Sequence, residues 1–153
     1  MSELLKLKEQ AHDQCVLWVQ QKIDILQQSI RQTRQSASAE TKSSMGDKYE
    51  TAQAMLHLEK EKYQSQLQQV LKLERVLHQI SISANHTKID LGSFLDTDQG
   101  YFYLSIAAGE LPLGQTSFIA ISPASPLGLE FKQAAVDTPF NFRGRSYLIH
   151  QFC

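Results

Sequence analysis

The eleven residues from Ser36 to Gly46 read SASAETKSSMG, and their reading decides how the first half of the chain folds. The stretch is small and polar, and it ends on the only glycine before residue 84. Serine side chains compete for backbone hydrogen bonds, and glycine costs a helix interior about 1 kcal/mol, so the segment predicts a turn. Upstream, from Leu5 onward, a 3–4 spacing runs through Val16, Val19, Ile23, Leu26, Ile30, Thr33 and Ala37, with Glu9 and His12 out of pattern. Downstream, a second register passes through Tyr49, Ala52, Leu56, Glu59, Tyr63, Gln66, Val70, Leu73, Leu77 and Ile80. Glu59 and Gln66 interrupt it, and Leu67 flanks the second gap. Each register is a coiled-coil-like stripe. Two stripes joined by a short polar link predict an antiparallel helical hairpin over residues 1–83, with its tip near 36–50. Helices of about 30 residues are roughly 45 Å long, so the tip would stand far from whatever follows. The competing reading is one unbroken helix in an intermolecular coiled coil; Gly46 and the serines oppose it.

Near Ser83 the chain changes character. All four prolines and the other six glycines follow it, with Phe and Tyr in alternating runs. Residues Ile89–Leu95, Tyr101–Ala107, Ser117–Ile121, Phe140–Phe142 and Tyr147–Phe152 read as strands. Asp98-Gln-Gly100, Gly114 and Arg143-Gly-Arg145 read as turns. Ser125-Pro126 is a helix start, with Ser as N-cap and Pro at the first helical position, and predicts a short helix over Pro126–Ala134. The second half, 84–153, is therefore expected to be a small antiparallel sheet with one helix against it, and the whole chain α+β.

Of the 153 residues, 42% are apolar, enough for a packed core, and the formal net charge is −1. Residues 1–84 carry 11 basic and 10 acidic side chains, and residues 85–153 carry 4 and 6. Neither half is a globally basic nucleic-acid binder, so any contact with nucleic acid is local or made through a partner. Cys15 and Cys153 have no second cysteine at metal-ligand spacing, which fits a reducing compartment without a structural disulfide. The charged N-terminus does not read as a signal peptide, and no run reaches about 18 apolar residues, so a cytoplasmic protein without a membrane span is expected. The five histidines show no ligand spacing and read as surface or seam residues. Trp18, Tyr101, Phe102 and Tyr103 read as packing rather than as a base-stacking platform.

Asp47-x-x-Glu50 directly follows the turn. On pattern alone it is a helix N-terminal box, with Asp47 as cap and Glu50 reaching back to the backbone. Positions i and i+3 also share one helix face, so the two carboxylates can address one hard cation such as Mg²⁺. Arg31, Arg34, Lys42 and Lys48 lie along or near the tip and read either as a solvated face or as contacts for phosphates.

Three segments in order carry a family resemblance. Gly46-Asp47-Lys48-Tyr49-Glu50 is similar to the Gly-Asp-x-x-Glu tip motif of the Gre family of bacterial transcript cleavage factors. Leu91-Gly-Ser-Phe-Leu95 is similar to the Gly-Ser-x-Val strand that opens that family's C-terminal domain. Ile121-Ser-Pro-Ala-Ser-Pro-Leu-Gly128 looks like its Ser-x-x-Ser-Pro-Leu segment. The chain differs from the family where Thr-Ala-Gln-Ala follows Glu50, where Ala124 precedes Ser125, and where Phe131-Lys-Gln-Ala-Ala-Val-Asp137 replaces Gly-Lys-x-x-Gly-Asp.

The resemblance implies an accessory factor that is not itself an enzyme and acts as a monomer with RNA polymerase as its partner. The coiled coil would enter the polymerase secondary channel, and an FKBP-like C-terminal domain would dock on its rim through Ser125, Pro126 and Leu127. Asp47 and Glu50 would help hold a Mg²⁺ shared with the polymerase and act on the nascent RNA 3′ end of a backtracked complex, with Arg31, Arg34, Lys42 and Lys48 near that RNA. The factor would have no cofactor of its own. Two alternatives stand beside this reading: a non-cleaving secondary-channel regulator, and a coiled-coil scaffold or chaperone-like protein unconnected with transcription.

Overall fold

The computed structural model describes residues 2–40, 47–84 and 86–153, without the side chains of Ser2, Ala39, Glu40, Asp47 and Lys48. The fold is α+β. Two long helices, α1 (Ser2–Glu40) and α2 (Asp47–Gln79), pack against each other. They are followed by β1 (Phe94–Thr97), β2 (Gly100–Leu104), β3 (Gly109–Leu113), β4 (Thr116–Ile121), α3 (Pro126–Gln133), β5 (Phe140–Phe142), β6 (Arg145–Tyr147) and β7 (Ile149–Phe152). By contacts, the chain forms two compact units: residues 19–74, and residues 1–18 together with 75–153.

In the first unit the helices run antiparallel. Gln53 Nε2 donates to the Ala37 carbonyl at 3.1 Å, near the end of α1 and the start of α2. Val19, Ile23, Ile30 and Thr33 are buried on α1 and Val70 on α2. Within the segment expected to turn, Ser36–Glu40 are still helical, and the rest, 41–46, lies outside the described residues. On α2 the expected Tyr49, Ala52, Leu56, Tyr63, Val70, Leu73 and Leu77 are all at least half-buried, and the two interruptions, Glu59 and Gln66, are exposed. Gln53, Lys60 and Leu67 are also half-buried and complete alternating steps of four and three from Tyr49 to Val70. Tyr63 donates its hydroxyl to the outward Glu59 carboxylate at 3.1 Å. The heptad is thus more regular than its apolar residues suggest, because half-buried Gln53 and Lys60 occupy seam positions.

On α1 the buried stripe upstream is Leu4, Lys8, Ala11 and Cys15, not Leu5 and Val16; Val16 is exposed. The covered positions 4, 8, 11, 15, 19, 23, 26, 30, 33 and 37 contain consecutive four-residue steps at Cys15–Val19–Ile23. Such a stutter shifts the phase of the stripe. It falls where α1 passes from one compact unit to the other.

In the second unit the strands form a five-stranded sheet, ordered β3-β4-β2-β1-β7, and a separate β5–β6 hairpin. The sheet is mostly antiparallel, as expected, with β2 and β4 as its parallel pair. β3 carries a proline in GELPL and was missed by pattern; it is an edge strand, where a proline is tolerated. The first expected strand starts late, at Phe94, because Gly92 sits at φ +91 and Ser93 Oγ closes a turn on the Asp90 amide. Tyr147–Phe152 divides into β6 and β7.

Alternate residues of each strand serve opposite faces of the sheet. Leu95, Phe102 and Leu104 meet Phe131 of α3 and Tyr147, with the Phe102 and Phe131 ring centres 5.0 Å apart. On the other face Phe94, Tyr103 and Phe118 form a second aromatic set. There Tyr103 meets His12 and Ser105 meets Cys15. Both faces are covered, which explains the unbroken Tyr101-Phe102-Tyr103-Leu104 run. The predicted packing role of Phe102 and Tyr103 holds, since both are buried.

Candidate functional site

Asp47 is the first residue of α2, and Glu50 lies three residues on, one turn along the same face. Glu50 is exposed, and among the described residues it has no hydrogen-bond or ion-pair partner. Its carboxylate is therefore open to an external ligand. The Asp47 and Lys48 side chains, and Gly46 and Lys42 entirely, lie outside the described residues. No group of three or more His, Cys, Asp or Glu among the described residues is arranged to hold a metal. Two carboxylates are a partial donor set for Mg²⁺, suited to an ion whose other oxygen ligands come from elsewhere.

Arg31 and Arg34 are brought together. Both are exposed and line one groove of the hairpin with Gln27, Ile30, Gln64, Ser65, Leu67 and Gln68. Arg34 also borders a second groove, with Thr33, Ala37, Gln53, Leu56, His57 and Lys60. Gln64 follows Glu50 by 14 residues, or about 21 Å along α2, so the arginine groove stands well back from the start of that helix. The arginines and the carboxylates form two stations, not one cluster.

The Ser125 corner is a tightly built helix start. Ser125 caps α3 with its Oγ accepting from the Gly128 amide at 3.1 Å and donating to the Ser122 carbonyl at 2.6 Å. A Cβ on Gly128 would fall 2.3 Å from that same carbonyl. Pro126 at the first helical turn is exposed, while Leu127 packs partly against the core. The corner thus offers Pro126, with the neighbouring exposed Ala124 and Leu129, to solvent.

Sequence reading missed a group of buried polar residues around the sheet. Lys8 is fully buried, and neither its Nζ nor His86 Nε2 has a hydrogen-bond partner among the described residues. His12 Nδ1 lies 2.7 Å from the hydroxyl of buried Tyr103. Burial pushes the Cys15 thiol up to about 11, so it stays protonated and unreactive at neutral pH. The clue in the sequence is Lys8 at the stripe position between Leu4 and Ala11. His57, His78 and His150 are exposed, as expected of surface residues. No helix among the described residues is long and apolar enough to cross a membrane.

Comparison of the chain with protein-family models, with curated proteins and with solved structures gives no match.

Proposed function

We propose that this protein is a transcription elongation factor that binds RNA polymerase through its secondary channel and stimulates cleavage of backtracked nascent RNA. The observation that carries the reading is a two-helix hairpin whose second helix begins with Asp47 and, three residues on, an exposed and unpartnered Glu50. A helix of 33 residues is about 50 Å long, and two such helices side by side are about 20 Å across, a slender shape suited to reaching down a channel. The resemblance of the tip, the Leu91–Leu95 segment and the Ser125-Pro126-Leu127 corner to the Gre family adds the identity of the partner. By the same resemblance the β-rich unit is FKBP-like and docks on the channel rim.

In this reading the hairpin adds two carboxylates to the oxygen ligands of the polymerase's own metal site. Magnesium shared with the polymerase supplies charge stabilisation for the attacking and leaving oxygens of the RNA phosphate. The role of Asp47 and Glu50 is to add oxygen ligands and to orient water. Arg31 and Arg34, set back along the hairpin, would face polymerase or RNA phosphates rather than the reacting bond.

The test is a halted, backtracked elongation complex with purified protein. Release of short 3′ RNA fragments, faster than in its absence, supports the proposal. Tight binding without faster release would replace it with the non-cleaving regulator, and no binding would point to the scaffold.

A further inference from the structure

Within the unit formed by residues 1–18 and 75–153, the start of α1 rests on the sheet through groups that carry or can take up a proton. Lys8 is 0% exposed, and its Nζ is enclosed without a hydrogen-bond partner among the described residues. His86, in the segment between α2 and β1, is packed over Gly92, and its Nε2 is likewise enclosed and unpartnered. One turn beyond Lys8, His12 reaches the phenol of Tyr103 on β2 at 2.7 Å, and Tyr103 is itself 0% exposed. A buried charge without a partner costs several kcal/mol, so such groups are tolerated mainly in their neutral forms.

We propose that the seating of the first turns of α1 on the sheet is an acid-released latch, closed while His12 and His86 are neutral and loosened when the two imidazoles take up protons. The surroundings offer little to hold a proton there. His12 faces Asp13 on its own helix, His78 on α2 and Lys8; desolvation outweighs the pull of Asp13 toward the protonated form, and Lys8 and His78 add to it, so its pKa lies below the usual histidine value. His86 faces Lys8 and Asp90, and burial, then Lys8, lowers it too. Burial also lowers Lys8, which faces the Cys153 thiol beyond β7. The two nearby carboxylates, Asp13 and Asp90, are exposed, and Asp90 is also 3.7 Å from Lys132. Cys15, Cys153 and Tyr103 are all pushed upward by burial and stay protonated in the acid range.

The sign follows from these directions. A histidine lowered on folding binds fewer protons folded than unfolded, so docking is full above the ordinary value near 6.5 and weakens as pH falls below it. Lys8 acts in a different window: its cost is already present at neutral pH and is relieved as pH rises toward the ordinary lysine range. The acid response therefore belongs to the imidazoles, with Lys8 making each protonation harder.

Hydrogen exchange on the intact chain at pH 7.5 and 5.5, corrected for intrinsic rates, tests the latch. Protection of α1 amides around Lys8–Cys15 should fall roughly tenfold at the lower pH, while β2 and β4 amides keep theirs. The double variant His12→Gln, His86→Gln should lose this drop. Lys8→Met, which keeps both imidazoles and a folded core, should raise α1 protection and shrink the drop. Equal protection at both pH values in the natural chain, the same drop in the folded double variant, or an undiminished drop in Lys8→Met would overturn the proposal.

Discussion

Gly128 is held between the Ser122 carbonyl and the Ser125 hydroxyl, and a Cβ there has nowhere to go, because the nearest atom is backbone. Gly128→Ala should lower stability by about 2 kcal/mol in urea unfolding, more than Ser125→Ala, which removes one N-cap bond and should cost about 1 kcal/mol. Equal and negligible costs would show that the corner is not tightly built. Pro126 is exposed at the same corner. Its replacement by Glu should leave the melting temperature near normal and weaken polymerase binding in a pull-down; undiminished binding by the folded variant would move docking elsewhere. Residue types announced the cap, since Ser-Pro is a local signal. They could not announce the burial of Lys8 or His86, because a charged side chain within a helical stripe reads as an interruption until its neighbours in space are known.

At the scale of elements, the hairpin was legible because helix periodicity is carried by many residues at once. The exact seam was not. Gln53 and Lys60 hold heptad positions with polar side chains, and on α1 Leu4 and Cys15 are buried where Leu5 and Val16 were expected. The hydrophobic pattern alone tolerates that one-residue error. Strand β3 escaped notice because Gly, Glu and Pro blur its alternation, and the parallel β2–β4 pairing depends on a connection that local sequence does not encode. The antiparallel pairing of α1 with α2 makes a direct prediction. With Cys153→Ser removing the partly exposed thiol, Ala37→Cys with Gln53→Cys should form a disulfide within one chain on mild oxidation, since the Gln53 side chain reaches the Ala37 carbonyl at 3.1 Å. Faster migration of monomer on non-reducing gels is the expected result; a covalent dimer instead would mean that the helices pair between chains.

For the whole molecule, both helices of the seam come from one chain, so sedimentation at micromolar concentration should give a monomer near 17.3 kDa. A stable dimer would favour the scaffold reading. What the sequence conveyed at this scale was the order of the parts, hairpin then sheet; the sharing of α1 between two compact units appears only as a stutter at Cys15–Val19–Ile23, a change of phase that becomes meaningful once both packings are seen. The central claim is that Asp47 and Glu50 act as carboxylates on a metal held by the polymerase. Asn and Asp rank about equally as N-caps, so amide replacements preserve local structure while removing the charge that Mg²⁺ prefers. The most direct measurement is the rate of transcript cleavage in a backtracked complex with the Asp47→Asn, Glu50→Gln double variant against the natural protein, at saturating binding. Loss of stimulated cleavage, by a factor of about 100 or more, with melting temperature and affinity retained is the predicted result; cleavage at the natural rate by the double variant would contradict the account.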